Sequence, residues 1–77
     1  MIPLIEGATY EHVKTGKQYK ILTIARESKT LEELVIYEAL YDNKVSKIWA
    51  RTKESFLGDA LSPDGTTHPR FRLIKKK

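Results

Sequence analysis

One stretch constrains the fold more than any other: Leu34 to Phe56, reading LVIYEALYDNKVSKIWARTKESF. It holds a β-branched and aromatic run, a turn signal, a second run with the only Trp, and a short polar segment. β-Branched and aromatic side chains fit a pleated, half-buried surface. Asp42-Asn43-Lys44 supplies the turn, because Asp and Asn hydrogen-bond their own backbone and tolerate left-handed conformations. The pattern predicts a β-hairpin. In its first strand Val35, Tyr37, Ala39 and Tyr41 share a face opposed by Leu34, Ile36, Glu38 and Leu40. In its second strand Val45, Lys47, Trp49 and Arg51 alternate with Ser46, Ile48 and Ala50. We expect Ile36, Leu40 and Ile48 in the core, with Tyr37, Trp49 and Arg51 where recognition takes place.

A competing signal precedes the hairpin. Thr30-Leu31-Glu32-Glu33 matches the Ser/Thr-x-x-Glu capping box that starts helices. A helix from that point would place Glu38 on its apolar stripe and pack the β-branched Val35 and Ile36 inside it. The residues favour a strand and leave the helix as the alternative.

The rest of the chain reads as short strands separated by turns. Residues 1–6 form a loose arm that includes Pro3, ahead of Gly7. Ala8 to Lys14 alternates without a wholly apolar face, Thr15-Gly16-Lys17 turns the chain, and Gln18 to Ala25 is a strand setting Leu22 and Ile24 against Tyr19, Ile21 and Thr23. Thr52 to Gly58 has a possible N-cap and a terminating Gly, as a single helical turn needs, and would plug one end of a barrel with Phe56 and Leu57. Pro63-Asp64-Gly65 is a turn, and a last strand in Pro69 to Ile74 is placed to close the sheet beside the first. The expected fold is all-β: a five-stranded SH3-like barrel with one short helical turn before the last strand. An open sheet packed by one helix from the capping-box segment is the alternative.

Composition narrows what such a domain can do. Seventy-seven residues make a single domain, residues 1–77, and a core this small buries only roughly 60% of the unfolded surface. Its seven aromatic residues are therefore needed for stability before function draws on any of them. There is no Cys, which excludes a disulfide framework, thiolate zinc ligation and a Cys nucleophile, and suits a reducing cytoplasm. MIPLIEG lacks a basic and then apolar leader pattern, and no window approaches a membrane span. The formal charge is +4, yet Arg70, Arg72, Lys75, Lys76 and Lys77 supply five positives near the C-terminus, leaving a body of charge −1. The basicity belongs to a C-terminal tail over 75–77 and its approach, not to a groove.

Enzyme constellations are scarce. His12 and His68 lack the flanking sequence of a strained nucleophile turn, and the four Gly are dispersed, so no phosphate loop exists. We expect no catalytic residues, no cofactor and no metal. Tyr10, His12, Tyr37, Trp49, Arg51 and Arg70 are the candidate binding residues. Aromatics hold peptides or unstacked bases, and a guanidinium beside them binds carboxylate or phosphate bidentately. The plain alternatives are that Tyr19, Phe56 and Phe71 are core, and that Arg51 and Arg70 pair with Glu38 or Glu54.

Several of these positions combine into a recognisable pattern. They are Tyr10-x-His12-x-Lys14-x-Gly16 with Tyr19, then Ile24-Ala25-Arg26, and Leu34-Val35-Ile36-Tyr37-x-Ala39-Leu40-Tyr41. Trp49-x-Arg51, Glu54-x-Phe56, and Asp64-Gly65 leading to Pro69-Arg70-Phe71 complete it. From Gly7 to Leu73 the chain resembles a bacterial family known as domain of unknown function 1653, departing at Thr52, where Pro is usual, and His68, where an apolar residue is usual. The resemblance implies a small β domain, which favours a strand over Leu34 to Tyr41, and implies no established activity. The expected function is a non-enzymatic module, monomeric or weakly dimeric, that recognises a peptide or protein partner through its aromatic and Arg surface. The alternative is a nucleic-acid-binding domain that stacks bases on the aromatics and uses the basic tail for phosphate. No membrane partner is expected.

Overall fold

A computed structural model describes residues 4–76. The chain forms β1 (Thr9–His12), β2 (Gln18–Arg26), β3 (Glu33–Ala39), β4 (Ile48–Thr52), α1 (Lys53–Leu57), β5 (Asp59–Leu61), β6 (Thr67–Pro69) and β7 (Phe71–Lys75). An antiparallel sheet has the order β4-β3-β2-β1-β7, and β5 pairs β6 as a separate ribbon. Of the segment Leu34 to Tyr41 expected as strand, Leu34 to Ala39 lie in β3, in agreement with the family resemblance, and Leu40 and Tyr41 fall in the bend that follows.

The capping-box segment becomes a hairpin connection. Glu27 organises it, its carboxylate accepting from the backbone N–H groups of Lys29 and Thr30 while its carbonyl accepts from that of Leu31. Thr30 Oγ1 accepts from the backbone N–H of Glu32, and Leu31 takes φ +63°, a left-handed value that no helix start has. The side-chain oxygens that would cap a helix serve a turn here.

The predicted hairpin forms, with Tyr37 opposite Trp49 and Val35 opposite Arg51. Its inner face is the reverse of the one expected. Val35, Tyr37 and Ala39 are buried, whereas Leu40 is 48% and Ile48 46% exposed, and Ile36 is half-buried. The register gives the reason: Glu38 lies opposite Ile48 and Ile36 opposite Ala50, so burying the aliphatic face would also bury a carboxylate. Glu38 instead stays at the surface and pairs with Lys47 at 3.2 Å.

β2 corrects a second alternation. The register against β3 shifts between Ile21 and Thr23, so Tyr19, Ile21 and Ile24 all reach the core while Leu22 is left outside. A bulge of one residue changes the phase of a strand, and no strict period-2 pattern contains it.

The closed five-stranded barrel is not formed. β4 and β7 are the edges of the sheet, and no strand pairs them among the described residues. After β4 the chain turns at once into α1, capped by Thr52 Oγ1 accepting from the Ser55 N–H at 3.1 Å, and the following strands form the ribbon. The helical turn thus precedes three strands, not one. Between the edges Phe56 of α1 stacks on Phe71 of β7 at 4.1 Å, filling with rings the gap a closing strand would occupy. Phe56 is fully buried, also meeting Tyr10 and Tyr37 edge-on, so the aromatic plug expected from α1 is the centre of the core. Gly58 lets the chain leave α1 closely: a Cβ there would stand 3.0 Å from the Glu54 carbonyl.

Of the arm expected over residues 1–6, Leu4 and Ile5 pack on the core and residues 1–3 lie outside the described residues. Of the tail expected over 75–77, Lys75 ends β7 opposite Thr9, and Lys77 lies outside the described residues. No helix among the described residues is long and apolar enough to cross a membrane.

Candidate functional site

The inner face of the sheet is not filled at the end where β1 and β3 finish. His12 ends β1, Tyr19 is the second residue of β2, and Tyr37 and Trp49 face each other across β3 and β4. With Arg51, Phe71, Lys17, Tyr41, Thr15 and Asn43 they line a cleft of about 300 Å³. Side chains from five strands, β1, β2, β3, β4 and β7, come together here, and the two loops after β1 and β3 form its rim.

Its walls are rings. Tyr19 meets Tyr37 and Tyr41 edge-on, with centroids 5.2 and 5.5 Å apart. The Tyr19 and Tyr41 hydroxyls share a hydrogen bond of 2.8 Å, and Asn43 Nδ2 donates to the Tyr41 oxygen at 2.9 Å. Asn43 Oδ1 accepts from the backbone N–H of Val45, so one side chain shapes the turn and fixes a cleft ring. Trp49 Nε1 donates to the Ser46 carbonyl at 2.9 Å, which satisfies the indole and leaves its faces as apolar wall. Burial, then the bond to Tyr41, pushes the Tyr19 hydroxyl far above its usual range, so it is a neutral phenol at physiological pH.

Its charge is positive. Lys17 Nζ stands 4.8 Å from the centroid of the Tyr41 ring, and the Arg51 guanidinium 5.6 Å from that of Phe71. Among the described residues no Asp or Glu lines the cleft. Arg51 Nη1 donates to Ser55 Oγ at 3.0 Å, while its Nε is buried without a partner. His12 packs edge-on against Phe71 at 5.0 Å. Burial first, then the positive charges of Arg51, Arg70, Lys14 and His68, hold its imidazole below the usual value, so it is neutral at pH 7.

The six residues singled out from the sequence separate into two groups. His12, Tyr37, Trp49 and Arg51 line the cleft. Tyr37 is 6% exposed and belongs to the core as well, giving the cleft its floor, whereas Trp49 is half-buried. Tyr10 is 4% exposed, its ring against Phe56 and its hydroxyl buried without a partner, and it lines a different hollow with Leu57, Asp59, Pro69, Arg72 and Leu73. Burial raises the pKa of that hydroxyl. Arg70 is a brace: Nη1 donates to the Ser55 carbonyl and Nη2 to the Asp59 carbonyl, tying α1 to the start of the ribbon. Neither Arg51 nor Arg70 pairs with Glu38 or Glu54.

The sequence favoured the core for Tyr19 and Phe71, left Tyr41 as an aromatic without a site assignment, and gave no sign that Thr15, Lys17 and Asn43 would line the cleft. The Asn43 turn signal was visible, but that its amide would reach Tyr41 was not. Lys75 lies away from the cleft. Thr9 of β1 is opposite Lys75 and His12 opposite Phe71, so the ends of β1 are about 10 Å apart at a strand's rise per residue. Arg72 is engaged by Glu11 at 2.7 Å. Among the described residues no group of three His, Cys, Asp or Glu is placed to hold a metal ion.

Comparison with known proteins adds two findings. The model of a family described as protein of unknown function, DUF1653, matches residues 8–73. The chain is also similar to a crystal structure of a protein belonging to DUF1653 from Bordetella bronchiseptica, at 28% identity and a TM-score of 0.77, covering 90% of this chain and 86% of that one. No curated protein matches significantly.

Proposed function

The chain belongs to the DUF1653 family, and from that premise we propose that it is a non-enzymatic binding module that holds a peptide or protein segment in the cleft. One observation carries the reading: a hollow walled by aromatic rings, with Arg51 and Lys17 on it and no acidic side chain. Peptide-recognition grooves combine apolar ring surface for side chains with a few placed polar groups for orientation. The curled sheet, with its ribbon and helical turn, is read as an opened relative of an SH3-like barrel, which supports the analogy at the level of fold alone.

Catalysis finds little support in the same groups. His12 has no carboxylate to orient it, its nearest polar contact being Thr15 Oγ1 at 3.4 Å, and Ser55 Oγ accepts from Arg51 with no base beside it. A nucleic-acid ligand needs cations along its backbone, and the basic C-terminal end sits at the opposite end of β1 from the rings. A chain without Cys suits work in a reducing cytoplasm.

The test is a panel of short peptides and single-stranded oligonucleotides titrated against the protein, read by the fluorescence of Trp49. The reading expects saturable changes with peptides that weaken in Arg51→Met, which keeps Trp49 as the reporter. Oligonucleotide binding that weakens steeply with salt, with a slope that flattens when Lys75 to Lys77 are deleted, would overturn it.

A further inference from the structure

We propose that the anchor of the cleft is a carboxylate of the bound peptide, gripped by the free edge of the Arg51 guanidinium, with the adjoining apolar side chain lying between Trp49 and Tyr41. The proposal rests on the peptide-binding reading above and names the chemical group that reading leaves open.

A guanidinium carries five donors in a fixed plane. In Arg51 one face of that plane meets Phe71, and Nη1 is held by Ser55 Oγ. Nε is buried and has no acceptor, and among the described residues no hydrogen bond or ion pair engages Nη2. Nε and Nη2 form the edge whose two parallel N–H groups match two oxygens of a planar acceptor. Of the two acids the sequence offered as partners of Arg51, Glu38 is bound by Lys47, and among the described residues Glu54 makes no ion pair with it.

A buried N–H left unpaired in a positively charged hollow is a desolvation penalty that an incoming acceptor relieves. The ligand's carboxylate thus completes a hydrogen-bond set that the protein leaves open. Lys17, on the rim over Tyr41, adds a second charge of the same sign that draws an anion inward. The volume of about 300 Å³ suits one or two residues and lies at the small end of ligand sites, so a chain terminus or a single acidic side chain fits the space. A planar carboxylate matches one guanidinium edge beside a neutral imidazole. A phosphodiester chain would call for further cations along its path, and Lys75 is at the far end of β1.

The experiment uses N-acetylated tripeptides ending in Leu or Phe, each as the free acid and as the C-terminal amide, plus an amidated peptide with an internal Glu. A phosphorylated oligonucleotide of matched length is the fourth arm. Binding is followed by nuclear magnetic resonance at the Trp49 indole N–H, the His12 ring and the Arg51 Nε–H. The free acids are expected to bind at least tenfold more tightly than the amides and to raise the His12 titration midpoint. The internal Glu peptide recovers affinity if an acidic side chain is the natural anchor and stays as weak as the amides if a chain terminus is. Arg51→Lys, which keeps the charge and loses the fork, is expected to cost about tenfold for the free acids and nothing for the amides, with the folded spectrum retained. Equal affinity for acids and amides, with shifts still at Trp49, overturns the carboxylate anchor and leaves the peptide reading standing. Shifts with the oligonucleotide alone overturn both, as does no shift with any peptide.

Discussion

Phe56 is the residue on which the molecule's stability most depends. It is fully buried, stacks on Phe71 and touches Tyr10 and Tyr37, and it comes from a helix of only five residues. Truncation leaves a cavity that a small core has no spare side chains to fill, so Phe56→Ala is expected to lose about 3–5 kcal/mol in urea denaturation. A loss within the range of a surface substitution would show that the stacked pair is not the centre of the core. His12 makes a different prediction. Its midpoint lies below the unfolded value because burial and then Arg51, Arg70, Lys14 and His68 oppose its protonation. The unfolded chain therefore binds more protons between the folded midpoint and pH 6.5, and stability falls as pH drops through that window and is complete above it. Glu27 and Asp64, held low chiefly by hydrogen bonds from Thr30 and Thr66, lose their contributions at lower pH still. A ring-proton titration is expected to place the His12 midpoint below that of a free imidazole, and Arg51→Met to move it upward. At this scale the sequence was a partial guide. It showed that Trp49 and Arg51 share a face, but not that Tyr10, two residues from His12 on the same strand, packs against Phe56 of α1 away from the cleft. Adjacent inward positions of one strand enter different parts of the molecule because the sheet curls, and curl is not written in a period-2 pattern.

Among the elements, the β3–β4 hairpin was legible because aromatic runs, an Asx turn and a strand-length spacing all agree. The β2–β3 connection was not, since its capping-box residues have the same hydrogen-bonding chemistry in a turn as in a helix start. That connection carries strain: Leu31 is held at φ +63° and is 63% exposed, so its side chain contributes little burial in return. Leu31→Asn is expected to raise the thermal midpoint by an amount corresponding to about 1 kcal/mol, because Asn tolerates the left-handed region. An unchanged or lowered midpoint would mean that Leu31 makes a packing contribution that offsets its backbone cost. The choice of inner face was open in principle, and Glu38 decides it. A carboxylate on the aliphatic face, directly opposite Ile48, is enough to turn Ile36 and Ile48 outward and bring the rings in.

For the whole molecule the informative quantity is where charge sits relative to the rings. The sum of +4 suggests a nucleic-acid partner, yet Lys75 lies at the far end of β1 from the cleft, Arg70 braces α1 and Arg72 is bound to Glu11. Deleting Lys75 to Lys77 is expected to leave peptide affinity at the cleft within about twofold at physiological salt, where charges beyond a screening length are largely silent. A large loss in calorimetric titration would place the tail in the site. The distribution of charge along the sequence already separated tail from body and the helical turn of α1 was legible, whereas the openness of the sheet did not show: whether the edges meet depends also on the β5–β6 ribbon, which the sequence did not announce as paired strands. The central claim is that recognition uses the inner cleft and not the exposed aliphatic face behind it. Its most direct test is an amide chemical-shift map with a saturating free-acid peptide. The account predicts the largest shifts at His12, Tyr41, Trp49 and Arg51, with the outward residues Ile36, Ile48 and Ala50 little moved; shifts centred on those outward residues would contradict it.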